Sequence, residues 1–115
     1  MGLDMYAYQM ANKPDTEVDF AKSEFRVEEI YYWRGHRELH HWMRDLYLKK
    51  GGTNTQFNGN TLLLTMEDLM NLKRAIDDNE FITSDPKEYH LDLAFVENAA
   101  GAIAVGNFVF YDSSW

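Results

Sequence analysis

Tyr31-Tyr32-Trp33-Arg34-Gly35-His36-Arg37-Glu38-Leu39-His40-His41-Trp42-Met43 is the stretch in which the chain changes period. That change decides the fold. Upstream of Gly35, residues 25–34 are rich in β-branched and aromatic side chains and read as a strand. Downstream, Leu39, Trp42, Met43, Leu46 and Tyr47 recur at helical spacing and form one apolar stripe on a helix over residues 35–50. Lys49 and Lys50 complement the negative end of its dipole, and Gly51-Gly52 stop it.

Working outward, residues 2–11 alternate. Leu3, Met5 and Ala7 share one face; Asp4, Tyr6, Tyr8 and Met10 share the other. This strand is expected to pair antiparallel with residues 25–34 across a polar connection, residues 12–22, that is too long for a tight hairpin. Residues 53–60 read as a polar loop and residues 60–64 as a short apolar strand. Thr65-Met66-Glu67-Asp68 then resembles a capping box with Asp in place of Glu or Gln. It opens a helix with an apolar face of Leu69, Leu72 and Ile76 that ends near Asp77-Asp78-Asn79.

Residues 89–96 alternate enough to be read as a strand. Asp85-Pro86-Lys87-Glu88 argues for a helix start instead, with a cap residue, proline at the first helical position and an acid two residues later. Tyr89, Leu93, Val96, Ala100 and Ile103 keep helical spacing up to Gly106, so the spacing predicts a helix. Residues 108–111 make a last strand, and the tail to Trp115 either folds back onto the sheet or makes a partner contact. The expected architecture is one α+β domain over residues 1–115. Its order is β-β-α-β-α-α-β, with helices packed on one face of a small, mainly antiparallel sheet.

Composition narrows the functional classes. The 115 residues are 45% hydrophobic and 15% aromatic, which suits a folded chain with its own core. Without cysteine there is no disulfide or thiolate metal site, in keeping with a reducing cytosol. No apolar run reaches the roughly 20 residues of a membrane span, and no secretory signal is visible, so a cytoplasmic protein without membrane contact is expected. The net charge of −8 is uneven: acids dominate before residue 30 and after residue 66, whereas Arg34, Arg37, Arg44, Lys49 and Lys50 make residues 30–50 basic. A net-acidic surface repels phosphates, so direct nucleic-acid binding is not expected; a basic protein partner is compatible with it.

The histidines in the opening stretch raise two chemistries. His36 and His40 lie four apart on a helix and could reach one metal ion. No third ligand accompanies them, and Glu38 is not in the position of an H-E-x-x-H base, so neither metal nor cofactor is expected. His36 reads as a satisfied core histidine and His41 as a surface one. The second chemistry is a polar cluster of Asp4, Arg34 and His40, walled by Tyr6, Trp33 and Trp42. It is either a small-molecule or enzymatic pocket with His40 as acid or base, or a buried network that fixes the strand–helix corner. No nucleophile or phosphate loop accompanies it, which favours the network, and no catalytic residue is assigned. On that reading Arg34→Ala should unfold the domain.

Several of these segments recur together elsewhere. Met1-Gly2-Leu3-Asp4-Met5-Tyr6, Tyr32-Trp33-Arg34 with His40 and Trp42, the Thr65-capped helix with Glu67-Asp68-Leu69, and the ending Tyr111-Asp112-Ser113-Ser114-Trp115 resemble a family of small uncharacterised bacteriophage and prophage proteins. The likeness spans nearly the whole chain. Many members carry a Gly-Phe-Phe-Phe-Gly segment between the second and third helices, where this chain has the short residues 80–86. The resemblance implies a phage origin and an accessory role in the host cytoplasm. The first expectation is therefore a non-enzymatic protein that binds a host or phage macromolecule through an acidic surface of Asp77, Asp78, Glu80, Asp85 and Glu88. The alternative is the pocket around Asp4, Arg34 and His40.

Overall fold

A computed structural model describes residues 2–78 and 86–115. Strand β1 (Asp4–Met10) pairs antiparallel with β2 (Val27–Arg34) on one side and β4 (Phe108–Ser114) on the other; β3 (Leu62–Leu64) closes the far edge, giving the order β2-β1-β4-β3. Helices α1 (Arg37–Lys49), α2 (Met66–Asp77) and α3 (Pro86–Ala104) complete the predicted order β-β-α-β-α-α-β.

The alternation in β1 does what period 2 requires. Met5 and Ala7 are fully buried under the helices, and Asp4, Tyr6 and Tyr8 turn the other way. Cross-strand partners extend each face: Met5 sits beside Trp33 and Ser113, and Asp4 beside Arg34 and Ser114. In β2, Ala7 faces Tyr31 and Tyr8 faces Glu29, so Ile30 is an extra residue that bulges this edge strand. The core lies between the sheet and the helices: Met5, Trp33, Leu62, Leu64 and Tyr111 meet Leu39 and Met43 from α1, Leu69 and Leu72 from α2, and Phe95 and Ala99 from α3. Each large apolar side chain buried there contributes about 1.5–3 kcal/mol relative to exposure.

The second sheet face is not bare. Buried Phe110 stacks on Tyr8 at 5.1 Å and receives the edge of Phe20 at 5.1 Å. Lys22 reaches over the Tyr8 ring, 4.9 Å from its centroid, and donates to Asp112 Oδ2 at 2.9 Å. The connection between β1 and β2, which reads as a plain polar loop, is therefore a partial lid over that face.

Thr65 forms the predicted capping box, its hydroxyl accepting from Asp68 N while the Asp68 carboxylate accepts from Thr65 N. Lys50 goes beyond dipole complementation, because its ammonium donates to Asp68, to Leu63 O and to Glu17. It ties the end of α1 to β3 and to the start of α2.

The α3 stripe differs from the one read in sequence. Asp92, Phe95, Val96, Ala99 and Ala102 are buried, whereas Tyr89 is exposed and Leu93, Ala100 and Ile103 are only partly covered. Helical spacing allows both stripes. The buried one puts Phe95 against Trp33 (4.7 Å, edge-on) and gives Asp92 two polar partners, Trp33 of β2 and His36 just before α1. Gly101 faces open space on this helix, and an added methyl would meet nothing within 4 Å. Gly101→Ala is therefore expected to stabilise the protein by about 0.5–1 kcal/mol, read as a higher urea midpoint with unchanged slope.

The aromatic tail continues β4 and folds back. Trp115 N donates to Asn58 Oδ1, Asn58 Nδ2 donates to Trp115 O, and the indole Nε1 donates to Phe57 O at 3.4 Å. No helix among the described residues is long and apolar enough to cross a membrane.

Candidate functional site

The residues of the expected polar cluster do not converge. Asp4 and Arg34 are register partners, with Arg34 Nε 4.0 Å from Asp4 Oδ1, and the Tyr32 hydroxyl donates to the same oxygen at 2.7 Å. Tyr6 lies against Tyr32 at 5.3 Å. All four lie on the sheet face away from the helices. His40 is on the helix side, where its Nδ1 meets the hydroxyl of Tyr111, a register partner of Ala7. Trp33 is also on the helix side. Trp42 lines a separate groove of about 370 Å³ with Asp45, Lys49, Asn71 and Arg74 between α1 and α2. The reason is strand parity: any residue one step from Met5 points away from the helices that cover Met5.

Arg34 is consequently not a structural keystone. Its side chain is 72% exposed and its pairing with Asp4 is long. Arg34→Ala should cost less than about 1 kcal/mol, as exposed ion pairs do, instead of unfolding the domain. A denaturation midpoint close to that of the parent protein is the expected reading.

Two polar centres exist that the sequence does not assemble. In the first, His36 Nε2 lies 2.8 Å from Asp92 Oδ2, and Trp33 Nε1 donates to Asp92 Oδ1 at 3.3 Å. His36 and Asp92 are each 2% exposed. Burial opposes charging of His36, but the Asp92 hydrogen bond and charge, with Glu88 and Glu38 nearby, outweigh it and raise its pKa. His36 is thus a buried histidine paired with Asp92 through Nε2, with its Nδ1 3.6 Å from Glu38 Oε2.

The second centre surrounds His40, which is 6% exposed. Its ring stacks on Phe57 at 5.2 Å while Nδ1 lies 2.7 Å from Tyr111 Oη. Burial, reinforced by the charges of His41 and Arg44, lowers its pKa to about 4, so the ring is neutral at neutral pH. Burial likewise pushes the Tyr111 phenol up. Phe57 holds this centre together from a left-handed backbone conformation (φ 48°) that bulky residues seldom adopt. It stacks on Tyr111 at 5.7 Å and lies 4.7 Å from Tyr47. A lone aromatic in a polar loop, followed by Asn58-Gly59, was its only mark in the sequence.

Above His40 opens a cleft of about 280 Å³ lined by Leu3, Arg37, His40, His41 and Trp115. Arg37 and His41 form no ion pair with any described residue, and Arg44, one turn further along α1, keeps its Nε buried without a hydrogen-bond partner. Among the described residues, no group of three histidine or acidic side chains is arranged to hold a metal ion.

Of the expected acidic surface, Asp77 and Asp78 are exposed at the end of α2 and Glu88 is half-buried in the first turn of α3. Asp77 accepts from Lys73 Nζ at 2.8 Å and from the Tyr89 hydroxyl at 3.4 Å, which places the two helix ends side by side. Glu80 and Asp85 lie outside the described residues. Compared with known proteins, the chain matches no family model, no curated protein and no solved structure.

Proposed function

We propose that this chain is a phage-encoded accessory protein of the host cytoplasm that works without catalysis, binding a basic host or phage protein through its acidic surface. The observation that carries this reading is the separation of Asp4 and Arg34 from His40 by the sheet, which keeps these three groups from acting on one substrate. The net charge of −8 and the adjoining acids at the ends of α2 and α3 supply what a basic partner needs. Direct binding to nucleic acid runs against the same charge.

The test is purification of the tagged protein from infected host cells, followed by titration of the recovered partner. A stoichiometric basic protein is expected, with an association rate that falls as salt rises. Neutralising Asp77, Asp78 and Glu88 to their amides should weaken binding by about tenfold or more, equivalent to about 1.4 kcal/mol. Recovery of no stoichiometric partner, or a partner indifferent to both salt and the triple substitution, overturns the proposal.

A further inference from the structure

We propose that the cleft over His40 is a binding site for a small organic anion carrying a flat ring. The site is distinct from the acidic contact surface and stands on its own observations.

The floor is a fixed imidazole edge. The buried Tyr111 hydroxyl and His40 Nδ1 share a hydrogen bond of 2.7 Å, and Ser113 is a second partner of that hydroxyl. With Nδ1 taken up by Tyr111, His40 offers its other nitrogen, Nε2, which no described residue bonds, and the residue lines the cleft. Stacking on Phe57 and the Tyr111 bond together fix the ring, so its orientation is set before any ligand arrives.

The walls divide into charge and surface. Arg37, His40, His41 and Arg44 fall at i, i+3, i+4 and i+7, one stripe of α1. Lys22, Lys50 and Lys73 have carboxylate partners in Asp112, Asp68 and Asp77, whereas Lys13, Arg26, Lys49 and Arg74 form no ion pair with a described residue. On this stripe Arg37 has found none among the described residues, so its guanidinium can receive an external carboxylate or phosphate through two parallel bonds. Across the cleft, Trp115 is pinned by Asn58 and Phe57 yet keeps 45% of its surface exposed, and Leu3 adds aliphatic surface beside it. An indole fixed in place with an open face favours a flat ring. A volume of about 280 Å³ is at the small end for ligand sites, which selects a compact molecule.

Aromatic carboxylates and pyrimidine nucleotides share this chemistry, so the test uses 4-hydroxybenzoate, uridine monophosphate and inorganic phosphate. Each is titrated into the labelled protein while backbone and indole N–H resonances are followed. At least one ring-bearing probe should saturate with a dissociation constant of about 0.1–1 mM and shift Arg37, His41 and the Trp115 indole; inorganic phosphate should be at least about tenfold weaker. Whichever ring-bearing probe binds tighter identifies the source of the anion. Arg37→Ala and Trp115→Ala, both at exposed side chains, should each weaken binding by about tenfold. The denaturation midpoint of Arg37→Ala should stay unchanged. The inference fails if neither ring-bearing probe saturates by about 10 mM, if phosphate alone binds as well, or if both substitutions leave the affinities as they were.

Discussion

Asp92→Ala should lower the unfolding free energy by about 3–5 kcal/mol, because it removes one member of a buried pair and strands the other. His36 would lose the carboxylate that raises its pKa, and the Trp33 indole N–H would lose its acceptor. Both groups are nearly inaccessible, so water cannot replace what is lost. Domains of this size unfold with about 5–15 kcal/mol in total, so the variant should lie near the edge of folding. A loss below about 1 kcal/mol in urea denaturation would show the network to be dispensable.

Asp92→Asn keeps the shape, removes the charge, and gives the pair a pH signature. His36 has a folded pKa above its unfolded value of about 6.5. Its contribution is therefore complete below pH 6.5 and is lost as pH rises through the folded pKa. His40 has the opposite sign. With a folded pKa of about 4, it binds a proton more readily when unfolded, so its contribution rises with pH between about 4 and 6.5. The two histidines together should produce a stability maximum near pH 6.5. Asp92→Asn should flatten the limb above it, and His40→Gln the limb below. A profile whose alkaline limb is identical in the wild type and Asp92→Asn would remove His36 from the account.

What the sequence made legible was local. The alternation of Met5 and Ala7 and the Thr65–Asp68 cap depend on neighbours within a few residues, and both are in the structure; of the α1 stripe, Leu39, Met43 and Tyr47 are buried while Trp42 and Leu46 are only partly covered. The same alternation already held the answer to the polar cluster. Asp4 faces away from Met5, so a helix that covers Met5 cannot bring His40 to Asp4. Arg34 and His40 are close in the chain, yet Arg34 lies on the sheet face away from the helices and His40 on the helix side. Asp92 was illegible for another reason. An acid inside an amphipathic helix looks like a solvent residue, and its burial depends on His36, 56 positions earlier, and on the Trp33 indole. Phe57 depends on His40 and Tyr47 from α1 and on Tyr111 from β4, two distant parts of the chain, so no local pattern announces it.

Gly52→Ala is the second change expected to be severe, at about 3 kcal/mol, and its cause is overpacking. Gly51 and Gly52 together look like a plain helix stop, but they have different tasks. Gly51 adopts a positive φ of 106° with nothing near its missing side chain. A Cβ on Gly52 would fall far inside contact distance of the Tyr47 ring. The ring has nowhere to go. It is fully buried against Phe57, and its hydroxyl donates to Asp19 and accepts from Asn54 N and Asn60 Nδ2. Moving it would pull on Phe57, and through Phe57 on His40, Tyr111 and Trp115, so the damage should reach the cleft as well as the fold. A double-mutant cycle isolates the mechanism. In a Tyr47→Ala background the clash is gone, and Gly52→Ala should then cost less than about 1 kcal/mol, a coupling of about 2 kcal/mol between the two positions. Equal costs in both backgrounds would mean that backbone freedom at position 52, and not the Tyr47 ring, requires the glycine.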